Sequence, residues 1–256
     1  MEYRSKNDPI LRLDDIHYQY HDGTRALAGT SLSVAVGERV AVVGPNGAGK
    51  TTLVLTLAGF CAPESGVLEM FGTPVTPKSL PRMRTRAGFV FQNLDDQLFM
   101  PTVLEDVMFG PLKAGVPEPE ARRRAESALE RMEIAKTANQ FPGHLSAGRK
   151  RMASLAAVLV QEPELLVLDE PTSFLDPHAR RCLIERLKTL PMAQLVVTHD
   201  LEMVLELCGR VVVLSGGRII ADGKPAKVLC DAALMAAHRL EVPHSLLRHP
   251  HLPLDA

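Results

Sequence analysis

The chain has 256 residues, enough to bury one sizeable α/β core with a smaller inserted or appended part. Its 29 lysines and arginines stand against 30 acidic residues, so it carries no basic field of the kind that draws nucleic acid. The four cysteines, Cys61, Cys182, Cys208 and Cys230, lie far apart without C-x-x-C spacing, which argues against a zinc site or a disulfide framework and suits a reducing cytosol.

Residues 10–45 alternate polar and apolar, with Leu11, Leu13, Ile16, Tyr18 and Tyr20 followed by Leu32, Val34 and Val36. That period predicts an antiparallel patch of strands. The run Arg39-Val40-Ala41-Val42-Val43 reads as a buried strand leading into GPNGAGKT at 44–51, a full match to the phosphate-loop pattern G-x-x-x-x-G-K-[ST]. Gly44, Gly47 and Gly49 let the backbone of the loop, which also contains Pro45, Asn46 and Ala48, turn so that its successive N–H groups face an anion. The following helix, opening at Lys50, Thr51 and Thr52, adds unpaired N–H groups and a positive dipole end. In this pattern Lys50 reaches the β- and γ-phosphates and Thr51 supplies a magnesium ligand.

Further strands are predicted at 67–72 and 88–92. From 102 to 160 the period becomes helical, with helices at 103–109, 118–132 and 146–160. Ser146 is a favourable N-cap for the last of these. Strands return at 165–169, 194–198 and 211–214, separated by helices near 177–189 and 200–207. Alternating strands and helices around a phosphate loop predict an α/β fold with a mostly parallel sheet and its ligand at the strands' carboxyl ends. The expected organisation is one domain over 1–256, its core at about 8–101 and 161–225, an inserted helical subdomain at about 102–160 and a C-terminal tail at about 226–256. The longest apolar stretch, 152–160, is half a membrane span, so a soluble chain is expected.

The strand at 165–169 ends in Asp169 and Glu170. Successive strand residues face opposite ways, so the two carboxylates can take different tasks, Asp169 at a magnesium ion and Glu170 on the water that attacks a γ-phosphate.

GPNGAGKT, Gln92, LSAGRKRMASLA, LLVLDEP, SFLD and VTHD occur in the order and approximate spacing of the ATP-binding subunits of ABC transporters, and together they span nearly the whole chain. The resemblance implies a P-loop NTPase whose two copies, or one copy and a related subunit, sandwich ATP between the phosphate loop of one protomer and the Ser146/Gly148 helix start of the other. It implies that Tyr20 stacks on adenine, Gln92 joins the magnesium shell and senses the γ-phosphate, His199 positions the attacking water, and Asp176 lies in a loop crossing between protomers. Ala147 and Arg149 depart from the usual LSGGQ, and Phe174 stands where a small residue is more common. Alanine at 147 would be strained if that position required positive φ.

The stretches at 88–99 and 102–111 resemble the energy-coupling-factor importers, and 179–183, 190–191, 198–201 and 221–223 are similar to the ATPases of cobalt and nickel uptake systems. The resemblance implies a peripheral protein on the cytoplasmic face of the cell membrane, bound to membrane-embedded subunits, with ATP and Mg2+ as its ligands. A vitamin importer of the same group is the near alternative. A soluble ABC ATPase of DNA repair or translation would carry a coiled-coil insertion or a second ATPase domain, and the chain has neither. A small-molecule kinase leaves LSAGR and THD without a role. His238, His244, His249 and His251 have no i, i+4 spacing and read as a solvated tail, and Arg122, Arg123 and Arg124 read as a solvated helix face.

Overall fold

The computed structural model describes residues 9–247. The chain opens with β1 (Pro9–Gln19), β2 (Arg25–Ala35) and β3 (Arg39–Val43), and the phosphate loop then leads into α1 (Lys50–Leu57). Next come β4 (Ser65–Met70), β5 (Thr73–Pro74), α2 (Leu80–Arg84) and β6 (Ala87–Val90). Three helices follow: α3 (Val103–Lys113), α4 (Glu118–Arg131) and α5 (Ala147–Leu159). The remainder alternates through β7 (Leu165–Asp169), α6 (Pro177–Thr189), β8 (Ala193–Val197), α7 (Leu201–Leu207), β9 (Arg210–Ser215) and β10 (Arg218–Gly223), and ends in α8 (Pro225–Leu229) and α9 (Ala232–Ala237).

Two sheets result, an antiparallel one in the order β2-β1-β4-β5 and a second in the order β10-β9-β3-β8-β7-β6. The second is parallel except for β10, which runs against β9. Its central strands are apolar at nearly every position because both faces are covered. Val40 and Val42 face one core with α1 and the antiparallel sheet, while Ala41 and Val43 face the other with α3, α4 and α5. The α/β expectation and the antiparallel N-terminal patch hold.

Several element bounds differ from the periodicity. β4 occupies 65–70 rather than 67–72, because Phe71 and Gly72 take left-handed φ of 54° and 69° and turn the chain into β5. β6 stops at Val90, short of the expected 92. There the Gln97 side chain takes over the strand's hydrogen bonds, donating from Nε2 to the Phe89 carbonyl at 2.9 Å and accepting from the Phe91 amide at 3.4 Å. The edge strand β10 went unpredicted, although Gly216 and Gly217, at φ 54° and 72°, make the two-residue hairpin turn that announces one. The region expected as tail is folded to residue 247, with Leu229 and Met235 of α8 and α9 buried in the core. His238 bonds Ser215 at 3.0 Å, while His249 and His251 lie outside the described residues. Arg122, Arg123 and Arg124 pair with Glu126 and Glu120 on their own helix, a neutralised outer face.

Candidate functional site

β3 delivers the phosphate loop to the carboxyl edge of the parallel sheet. Gly44 and Gly49 are there because a Cβ at either position would overlap backbone, the Leu214 carbonyl and the Ala26 carbonyl respectively. Gly49, at φ 103°, also caps α1 in a conformation that side chains disfavour. Gly47 has left-handed φ but open space around it. Pro45, Asn46 and Ala48 complete the loop, with Ala48 buried and Asn46 exposed.

Lys50, the first residue of α1, is buried and curls back so that Nζ donates to the Gly44 carbonyl at 2.7 Å and the Pro45 carbonyl at 3.1 Å. Burial lowers its pKa, and the charges of Glu170 and Asp169 oppose that shift. The Tyr20 hydroxyl lies 2.9 Å from Thr52 Oγ1, and its ring meets Tyr18 edge-on at 5.1 Å. Tyr20 is therefore tethered to the helix that carries the lysine.

β7 and β8 end side by side. Asp169, at the tip of β7, is buried, and its Oδ1 has no hydrogen-bond partner. Burial, then the neighbouring Glu170 charge, pushes its carboxyl up to about 6 against the pull of Lys50 and Arg151. Two buried acids with an unpartnered oxygen suit a divalent cation. Thr51, Gln92 and Asp169 all line one groove of about 860 Å3, so a magnesium ion fits this donor set. Glu170 takes left-handed φ of 47°, and its Oε2 accepts from Thr198 Oγ1 at 3.2 Å and from the His199 amide at 3.2 Å. His199 Nδ1 lies 2.7 Å from the same oxygen, with the ring largely exposed.

The remaining predicted residues make their bonds and contacts outside the loop. Ser146 is exposed and caps α5, its Oγ accepting from the Arg149 amide at 3.5 Å. Gly148 packs on Ala179, where a Cβ would crowd the alanine at 2.7 Å. Asp176 is exposed and caps α6 by accepting from the Ala179 amide at 2.8 Å. Ala147 is an ordinary helical residue outside the set with positive φ, so the strain considered for it is absent. Phe174 carries such a φ instead, 65°, and is 83% exposed.

One residue at this site escaped the sequence reading. Arg151, on α5, is 1% exposed and reaches the backbone of both Gln92 and Glu170. An arginine among LSAGRKRMASLA looks like one of several helix cations, and only the tertiary fold distinguishes it.

Residues 27–173 match the family profile described as ABC transporter. The chain is 42% identical to the energy-coupling factor transporter ATP-binding protein EcfA of Methanothermobacter thermautotrophicus, over 92% of this chain and 78% of that one. Among solved structures it resembles CbiO1 of Clostridium perfringens, part of the ABC transporter complex cbiONQ, with TM-score 0.80 and 36% identity over 90% of this chain and 94% of that one. It also resembles the ATP-binding cassette MJ0796, a dimer bound to ADP and Pi, with TM-score 0.76 and 26% identity over 84% of this chain and 98% of the other. The chain belongs to the ABC transporter family, as an ATP-binding, ATP-hydrolysing subunit.

Proposed function

We propose that this chain energises the import of cobalt or nickel ions through membrane-embedded partner subunits, working at the cytoplasmic face of the cell membrane. The observation that carries the reading is the likeness to CbiO1, itself part of a transporter complex. The groove beside Gln92 supports it, since Phe60, Phe91, Leu94 and Phe174 give it an apolar wall beside residues 93–96. Among the described residues no helix is long and apolar enough to cross a membrane.

In this reading two copies, or one copy and a related subunit, meet head to tail. The loop at 44–51 and Lys50 of one protomer hold the phosphates of ATP, and the Ser146/Gly148 start of α5 in the other closes on the same triphosphate. Tyr20 stacks on adenine. Thr51, Gln92 and Asp169 hold magnesium, which when bound neutralises phosphate charge. Glu170 takes the proton of the attacking water, and His199 orients that water. Asp176 joins the two sites across the interface. Residues 93–100 pass the motion to the membrane partner.

Affinity capture of the chain from native membranes should bring down a multi-span hydrophobic partner, and cells lacking the chain should lose uptake of labelled cobalt and nickel. Unchanged metal uptake with loss of a vitamin's uptake would overturn the cargo and keep the transporter.

A further inference from the structure

Helix α5 touches the Gln92 segment at three successive points along one face. Lys150 Nζ pairs with Asp95 Oδ1 at 2.8 Å, the Arg151 guanidinium donates to the Phe91 carbonyl at 2.9 Å, and Ser154 Oγ donates to Gln97 Oε1 at 2.7 Å. Arg151 does more than join two segments. Its second terminal nitrogen donates to the Glu170 carbonyl at 3.3 Å and lies 3.5 Å from that of Gln92. One planar fork thus ties the backbone just past β6 and just past β7 to the helix that begins at Ser146.

The environment makes this arrangement costly to hold. The side chain is all but inaccessible to water, its Nε has no hydrogen-bond partner, and burial lowers its pKa to about 10, with the charge of Asp169 opposing the shift. A buried guanidinium that faces neutral carbonyls contributes little net stability compared with an apolar residue of the same volume. What it supplies is direction: a rigid fork with fixed donor vectors, which a lysine cannot reproduce. Glu170 sits at left-handed φ, so its backbone needs an outside restraint to keep the carboxylate aimed.

We propose that Arg151 is a positioning residue for ATP hydrolysis, holding the backbone of Gln92 and Glu170 in fixed relation to the helix tip at Ser146. The inference rests on the roles given above to Gln92, Glu170 and Ser146. Through the fork, α5 and residues 91–97 behave as one body, and a displacement of the Gln92 segment is delivered to Glu170 without passing through nucleotide.

The test compares Arg151→Lys and Arg151→Gln with the parent full-length chain, measuring kcat and KM for magnesium-dependent ATP hydrolysis, ATP affinity and thermal midpoint. A misplaced catalytic group costs rate without costing ground-state binding, so kcat should fall about tenfold or more in both variants while KM and ATP affinity stay within about twofold. Lysine should not rescue kcat, although it keeps the positive charge near Asp169. Hydrogen exchange gives a second readout that survives partial destabilisation: amides of 91–97 should exchange faster in both variants, with those of β3 unchanged. A folded variant with the parent's kcat would overturn the inference and leave the proposed function standing, as would full rescue by lysine, which would assign the role to charge alone. A parent chain that binds no ATP in the presence of magnesium would instead sink the function itself.

Discussion

His199 Nδ1 lies 2.7 Å from Glu170 Oε2, an oxygen that already accepts from the Thr198 hydroxyl and the His199 amide. The carboxylate is therefore oriented by the end of β8 as well as by its own strand. Removing its basicity without removing its shape should stop the chemistry alone. Glu170→Gln is expected to lower turnover by about 10²–10⁴-fold while ATP still assembles a stable dimer, seen as a shift in size-exclusion elution. Hydrolysis at the parent rate would take Glu170 out of its role. His199→Ala leaves two of the three donors on the carboxylate, so it should lose less if orientation of Glu170 is its only contribution, and as much if it also contacts the phosphate.

Lys50 spends its donors on the Gly44 and Pro45 carbonyls, six and five residues back along its own loop. It thereby holds the shape of the cradle besides supplying charge. Lys50→Ala should weaken ATP binding and turnover together, measured by titration calorimetry and phosphate release. Retained affinity with lost turnover would confine the lysine to the transition state.

The three loop glycines should not respond alike to alanine. Gly44→Ala and Gly49→Ala drive a Cβ into a carbonyl oxygen, so both should lose ATP binding and lower the melting temperature. Gly47→Ala meets no neighbour and carries only the strain of a left-handed backbone, roughly 1–2 kcal/mol. It should bind ATP more weakly than the parent but more tightly than the other two. Equal losses in all three would contradict the steric account.

Asp106 of α3 is buried, its Oδ1 accepting from the amides of Phe99 and Met100 at 3.0 Å while its Oδ2 has no partner. Burial raises its pKa above the ordinary aspartate value, against those two amides. A raised folded-state pKa means that the folded protein binds more protons, so this group's contribution is fully present below the unfolded value near 3.9 and is lost as pH rises through the folded one. The substitution Asp106→Asn keeps the accepting oxygen and drops the charge. The stability of this variant relative to the parent should therefore improve as pH goes from about 4 to 7, read from denaturant midpoints. A difference independent of pH would show that Asp106 titrates normally.

Motifs whose chemistry is carried by contiguous residues were readable in the sequence. The phosphate loop, the apolar strand leading to Asp169 and Glu170, and the helix capped by Ser146 emerge where expected, since glycine spacing, strand period and capping are local properties. The misses share a different cause. α2, α8 and α9 are five or six residues long and owe their helicity to packing rather than to period. The end of β6 is decided by the Gln97 side chain, and the role of Arg151 by carbonyls 60 and 19 residues away in the chain. The irregularity in β1 is of the same kind: Asp15 at φ 51° is accommodated only because Gly66, on the neighbouring strand, leaves room for its carbonyl. No pattern along a single segment records such agreements.

The sheet order has a consequence for synthesis. β3, which feeds the phosphate loop, pairs only with β8 and β9, and β8 starts about 150 residues after β3 ends. On a ribosome adding roughly 5–20 residues per second, this strand, apolar from Val40 to Val43, waits about 8–30 s for its neighbours. During that interval the emerging N-terminal hairpin and α1 must shield it, or a chaperone must. Codon changes that slow translation between β3 and β8 should therefore reduce soluble yield more than the same changes placed after β9.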